Sequence, residues 1–248
     1  MNLGLSGLKA VVTGSTSGIG KAIAIQLAQE GVDVAICSRT EEKVQRTLAE
    51  LTDLPIRAVG GAVDVTDRDG FARWLNRTAE ELGGIDIFVA NVSPMSPDWD
   101  DAIKTDIQAT VSGIEVVLPW VQKSDHGSIV YVGSMASVLG APQLAAYGAA
   151  KAAMTHYMKS LARGLVKKGV RVNTVSPGDI IFEGGIWDKL RTGNPEAFKG
   201  VMKRNPRGSL GTPEEVARVV SFIASPAASL VNGSHLLVDG CSTVHVHF

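Results

Sequence analysis

Seven short runs of aliphatic and β-branched residues recur along the chain with helix-patterned segments between them, and nothing else in the sequence restricts the fold as strongly. The runs are Ala10 to Thr13, Val32 to Cys37, Arg57 to Val63, Ile85 to Ala90, Ser128 to Val132, Arg171 to Val175 and His235 to Val238. Strands that alternate with helices pair in parallel and need helices on both faces of their sheet. The expected class is therefore α/β. Ile19, Ile23 and Leu27 fall at i, i+4 and i+8, and Gly31 supplies a helix stop, so one strand–helix–strand unit spans Lys9 to Cys37.

The turn inside that unit carries the first chemical signal. It reads Thr13-Gly14-Ser15-Thr16-Ser17-Gly18-Ile19-Gly20 and runs straight from strand into helix. Glycines let backbone approach a pyrophosphate closely, and a helix N-terminus offers unpaired N–H groups and a positive dipole end. Gly14, Thr16, Ser17, Gly18, Ile19 and Gly20 are thus candidate cofactor-binding residues. Three residues separate the first two glycines, which departs from G-x-G-x-x-G, and no Lys-Ser or Lys-Thr follows Gly20, which excludes a P-loop.

At the end of the second strand an acidic residue would bond an adenosine ribose, but this chain has Ser38 and Arg39. A guanidinium pairs with a 2′-phosphate instead, so NADP(H) is favoured over NAD(H), with Glu41 and Glu42 tempering the local charge.

Further along, Ala145-Ala146-Tyr147-Gly148-Ala149-Ala150-Lys151 favours helix and puts Tyr147 and Lys151 on one face. A free phenol, titrating near pH ~10, is a poor base at neutral pH; a neighbouring ammonium favours its phenolate and makes it a usable acid/base. Tyr-x-x-x-Lys alone is common on helix surfaces. Ser134, at the end of the fifth predicted strand, gives the pair company, because ligands bind at strand C-termini in open α/β sheets.

Bulk properties narrow the classes. Length permits one large α/β domain or two small ones; with no repeat, low-complexity tract or linker, a single domain over 1–248 is expected. The stretch from Asp179 to Ser209 breaks the rhythm and reads either as a lid over the site or as a surface helical excursion packed by Phe182, Ile186 and Trp187. A net charge of -1 gives no general attraction for nucleic acid or anionic lipid. Cys37 and Cys241 are too few for a disulfide framework, and no leader or apolar span is evident, so a cytoplasmic enzyme is expected. His245 and His247 share a face of a terminal strand or tail, but no third ligand lies near in sequence and no metal is expected.

Thr13-Gly14-x-x-x-Gly18-x-Gly20, Ser134, Tyr147-x-x-x-Lys151 and Pro177-Gly178, in this order over nearly the whole chain, resemble the short-chain dehydrogenase/reductase family. The resemblance implies a Rossmann-like, doubly wound parallel sheet of about seven strands and a homotetramer or homodimer. It implies that Tyr147 exchanges a proton with the substrate oxygen, that Ser134 orients that oxygen, and that Lys151 binds the nicotinamide ribose. It also places Asp64 and Val65 at the adenine, Asn91 beside the cofactor, and Pro177, Gly178 and Ile180 along the nicotinamide.

Three positions depart from the family pattern. Ala90-Asn91-Val92-Ser93 stands where Asn-Asn-Ala-Gly is usual, Asp106 where a catalytic asparagine holds a relay water, and Phe182 where a threonine commonly bonds the carboxamide. Asp106 is thus a candidate catalytic residue or, given Lys104 and Gln108, a solvated helix residue. The expected function is NADP(H)-dependent interconversion of a small-molecule ketone and a secondary alcohol. The alternatives are a 3-oxoacyl-thioester reductase, with Lys123, Lys167 and Lys168 as a carrier-docking patch, and a non-catalytic nucleotide-binding protein. Phe182, Ile186, Trp187 and Met135 are candidate substrate lining.

Overall fold

In the computed structural model, which describes residues 2–244, the predicted runs become β1 (Lys9–Val12), β2 (Asp33–Ser38), β3 (Ala58–Ala62), β4 (Ile87–Ala90), β5 (Ser128–Val132), β6 (Arg171–Pro177) and β7 (His235–Val238). They form one sheet in the order β3-β2-β1-β4-β5-β6-β7, with every neighbouring pair parallel. The fold is the α/β class expected from the alternation, in the Rossmann-like form that the family resemblance implies.

Helices connect the strands. They are α1 (Gly18–Gln29), α2 (Glu41–Ala49), α3 (Arg68–Leu82), α4 (Trp99–Asp101), α5 (Thr110–Val121), α6 (Ala145–Leu165), α7 (Ile186–Gly193), α8 (Pro195–Arg204) and α9 (Pro213–Ala224), and a π-helical stretch, Ala102–Ala109, joins α4 to α5. Side-chain alternation in the strands feeds two cores. Ala10 and Val12 of β1 face Ile23 and Leu27 of α1 and Val216 and Val220 of α9. Val11 faces the opposite layer, built on Phe71, Ile114, Val117, Met154 and Met158. Burying such side chains stabilises the fold by about 1.5–3 kcal/mol each.

Local chemistry sets the helix ends. Asp67 accepts from Gly70 N at 3.1 Å to start α3, and Gly83 at φ 75° ends it. Thr212 and Glu215 form a capping box on α9. Gly31, at φ 82°, closes α1 where the sequence placed its stop.

The stretch from Asp179 to Ser209 is helical over most of its length, as α7 and α8, with Asn194 capping α8 through Ala197 N. Its Gly, Pro and charge content punctuates two amphipathic helices instead of marking an irregular loop. His245 and His247 lie outside the described residues. Among the described residues, no helix is long and apolar enough to cross a membrane, and no cluster of three metal-ligating side chains occurs.

From β1 the chain winds outward to β2 and β3, then returns to β4 and winds the other way. This reversal opens a crevice at the carboxyl ends of β1 and β4, the place where ligands bind in such sheets.

Candidate active site

Hydrogen bonds from three strands fix the glycine-rich turn at that crevice. Buried Ser15 donates its hydroxyl to Val12 O at 2.6 Å and accepts from Cys37 N at 3.0 Å. Thr13 Oγ1 donates to Val89 O and accepts from Asn91 N, while Asn91 Nδ2 donates to Thr13 O at 3.0 Å and Gly14 O at 3.3 Å. The turn requires glycine for two reasons. Gly14 and Gly18 have φ of 63° and 51°, and a Cβ on Gly20 would collide with the Gly14 carbonyl and the Asn91 amide.

A cleft of about 640 Å³ runs over this turn. Gly14, Thr16, Ser17, Gly18, Ile19, Gly20 and Asn91 line its middle, and Ser38, Arg39, Asp64 and Val65 line the side above β2 and β3. Tyr147 and Lys151 line the side above β5. These sequence-predicted residues therefore converge.

Two sets of predicted residues lie elsewhere. Gly178 and Ile180 border a separate cavity of about 570 Å³ with Asp239 and Arg207, and Pro177 borders neither. β6 continues to Pro177, after which Gly178 packs on Asp239 and Ile180 bridges to Gly211. Phe182, two residues on, lines the cleft. A Cβ on Gly18 would sit 2.8 Å from Phe182 Cζ, so the ring that replaces the family's threonine rests on the phosphate-binding turn. Ser134 does not border the cleft, although its neighbour Gly133 does.

At the β2 end, Arg39 and Lys43 are exposed and neither has a carboxylate within ion-pair distance among the described residues. The two glutamates that follow Arg39 are turned elsewhere: Glu42 pairs with Arg46, and Glu41 accepts from Ala62 N and Gln45. Asp64 accepts from Thr66 N and Thr66 Oγ1, and these bonds, with a smaller contribution from Arg39, hold its carboxyl below the usual range. Lys43 escaped the sequence reading, though its i+4 spacing from Arg39 was a usable signal.

The β5 end is buried. Ser134 caps a short turn, accepting from Ala136 N at 3.1 Å, and that turn approaches α6 so closely that a Cβ on Gly148 would lie 3.1 Å from Ala136 O. Lys151 donates to Val132 O at 3.0 Å, and its Nζ sits 4.8 Å from the Tyr131 ring centroid and 5.6 Å from that of Tyr147. Asp106 Oδ1 lies 3.2 Å from the same nitrogen, and both side chains are almost fully buried (0% and 2% exposed).

Asp106 is therefore a member of the site's charge network, and the solvated-residue alternative is corrected. Burial opposes the Lys151 charge, but Tyr131, Tyr147 and Asp106 together hold its ammonium above the usual lysine range. Burial pushes the Tyr131 phenol up to about 12. Tyr131 was read only as a strand residue, because nothing in a β-rich run marks an inward-facing hydroxyl.

A crevice at a topological switch point, a glycine cradle at a helix N-terminus and a helical Tyr-x-x-x-Lys pair define a dinucleotide-dependent oxidoreductase. The chain belongs to the short-chain dehydrogenase/reductase family of oxidoreductases; a family model described as "Enoyl-(Acyl carrier protein) reductase" matches residues 14–243. It is 36% identical to the isoepoxydon dehydrogenase patN of Penicillium expansum, over 100% of this chain and 99% of that one. It is 34% identical to the 3-oxoacyl-[acyl-carrier-protein] reductase FabG of Thermotoga maritima, over 95% of this chain and 98% of that one. Among solved structures it resembles the L-sorbose reductase of Gluconobacter frateurii complexed with NADPH and L-sorbose, with a TM-score of 0.92 and 28% identity over 99% and 100% of the two chains.

Proposed function

We propose that this oxidoreductase uses NADP(H) to interconvert a small-molecule ketone and a secondary alcohol, with Tyr147 as the proton donor and acceptor. The observation that carries the reading is one cleft that joins two exposed cations, Arg39 and Lys43, with no ion pair among the described residues, to Tyr147 and Lys151 across a turn only glycine can form. The residues fit such a cofactor. Arg39 and Lys43 would hold a 2′-phosphate, the turn and the α1 N-terminus the pyrophosphate, Asp64 and Val65 the adenine, and Lys151 the nicotinamide ribose. The L-sorbose reductase complexed with NADPH supports the cofactor choice.

When bound, the nicotinamide supplies a hydride in reduction and accepts one in oxidation. In reduction the Tyr147 O–H donates its proton to the carbonyl oxygen as the carbonyl carbon gains the hydride, so C=O becomes HC–OH. The phenolate left behind is reprotonated from solvent. Ser134, the residue after the cleft-lining Gly133, would orient the oxygen with its hydroxyl, and the Phe182 ring would cover the turn where a threonine is usual. Pro177, Gly178 and Ile180, on the segment between β6 and Phe182, would line the nicotinamide.

NADPH consumption across a panel of free ketones and 3-oxoacyl-carrier thioesters tests the reading, and NADPH binding without turnover on either set overturns it. A preference for thioesters would favour the second reading, which the similarity to the 3-oxoacyl-[acyl-carrier-protein] reductase supports. Its docking patch would have to lie elsewhere than predicted. Lys123, Lys167 and Lys168 precede β5 and β6, at the strand N-termini, opposite the cleft. The proposal includes self-association as a homodimer or homotetramer, supported by the open sheet edge at β7, whose four residues are all only half-buried; light scattering checks it.

A further inference from the structure

Behind the cleft wall lies a charge pair that the family pattern does not supply. Asp106 Oδ1 is 3.2 Å from Lys151 Nζ, and neither Asp106 oxygen has an aligned hydrogen-bond donor among the described residues. A buried carboxylate without donors is costly unless a counter-charge faces it. Lys151 is that charge. The π-helical stretch turns Asp106 inward together with Ala102 and Ala109, and the small side chains of Ala146 and Ala150 let the stretch lie close against α6.

We propose that Asp106 compensates the charge of Lys151 and so keeps Tyr147 in its proton-bearing form, which biases the site toward carbonyl reduction over alcohol oxidation. This rests on the reading of Tyr147 as proton donor. An uncompensated ammonium 5.6 Å from the Tyr147 ring would favour phenolate, and a carboxylate 3.2 Å from that ammonium offsets its field. An asparagine at 106 would leave the field intact. Reduction consumes the Tyr147 proton, whereas oxidation begins with tyrosinate taking the alcohol proton, so a site that resists tyrosinate favours reduction at neutral pH. The titratable and charged groups facing Lys151 and Tyr147 are Asp106 from the π-helical stretch and Tyr131 from β5, and Asp101 and Lys104 line the same cleft.

The test is a tyrosinate-absorbance titration of the purified full chain, with each protein's spectrum corrected by its Tyr147→Phe counterpart to isolate Tyr147 from the other two tyrosines. In Asp106→Asn the Tyr147 midpoint is expected to fall by about one pH unit or more. In Asp106→Leu/Lys151→Met, which removes both charges and leaves no lone buried ion, it is expected to stay within about half a unit of the unsubstituted protein. Coincident midpoints in the single variant, or a rise of about a full unit in the double, overturn the proposal. The titration needs no substrate. Failure to reduce any carbonyl would therefore reject the functional reading separately, while the midpoints alone judge the charge compensation.

Discussion

The two ends of the cleft handle positive charge in opposite ways. At the β2 end Arg39 and Lys43 stand exposed with no ion pair among the described residues, whereas at the β5 end Lys151 is almost fully buried and held by a carbonyl, a carboxylate and two aromatic rings. Exposed cations are screened by salt and hydrated, so each contributes modestly and separately. Buried ones are coupled, and removing one partner strands the other. The first end is suited to reading a ligand's charge, and the second to controlling a proton.

That contrast can be broken by substitution. Tyr147→Phe is expected to reduce turnover by about 10²- to 10⁴-fold, with NADPH fluorescence titration showing little change in binding. Lys151→Met strands the Asp106 carboxylate and is expected to cost about 3–5 kcal/mol of stability, measured by denaturant unfolding; an unchanged midpoint would mean the buried end is not coupled. Arg39→Ala is expected to raise the KM for NADPH by about 10- to 100-fold while leaving that for NADH nearly unchanged. A parallel rise for both cofactors would show that Arg39 reads something other than the 2′-phosphate. Lys43→Ala is expected to produce the smallest change, about two- to fivefold in NADPH affinity, and it should shrink as salt is raised.

The sheet was legible because β-branched runs buried on both faces carry their own signal, and β5 and β7 match their predicted runs residue for residue. The glycine turn and the Tyr147–Lys151 pair were legible because each is local: one turn, one helix face. Features that depend on what lies across the molecule were not. Lys104 and Gln108 made the neighbourhood of Asp106 look solvated, and both are exposed, yet π-helical winding rotates Asp106 itself inward. The Ile180–Gly211 bridge, which ties the segment after Pro177-Gly178 to a distant part of the chain, likewise has no local signal. The helices α7 and α8 were legible only as one of two readings of the stretch, because Gly185, Gly193 and Pro195 punctuate them at the spacing of loop residues.

The bonds from Asn91 and Thr13 to the glycine turn have a consequence for affinity. Because Asn91, directly after β4, clamps the turn through its N and Nδ2, the cradle's shape is held by the protein's own strands. A ligand entering such a preorganised site forgoes little conformational entropy of the loop, and its binding energy remains available for holding the reacting ring. Asn91 thus acts less as a wall of the cleft than as the rivet that keeps its floor rigid.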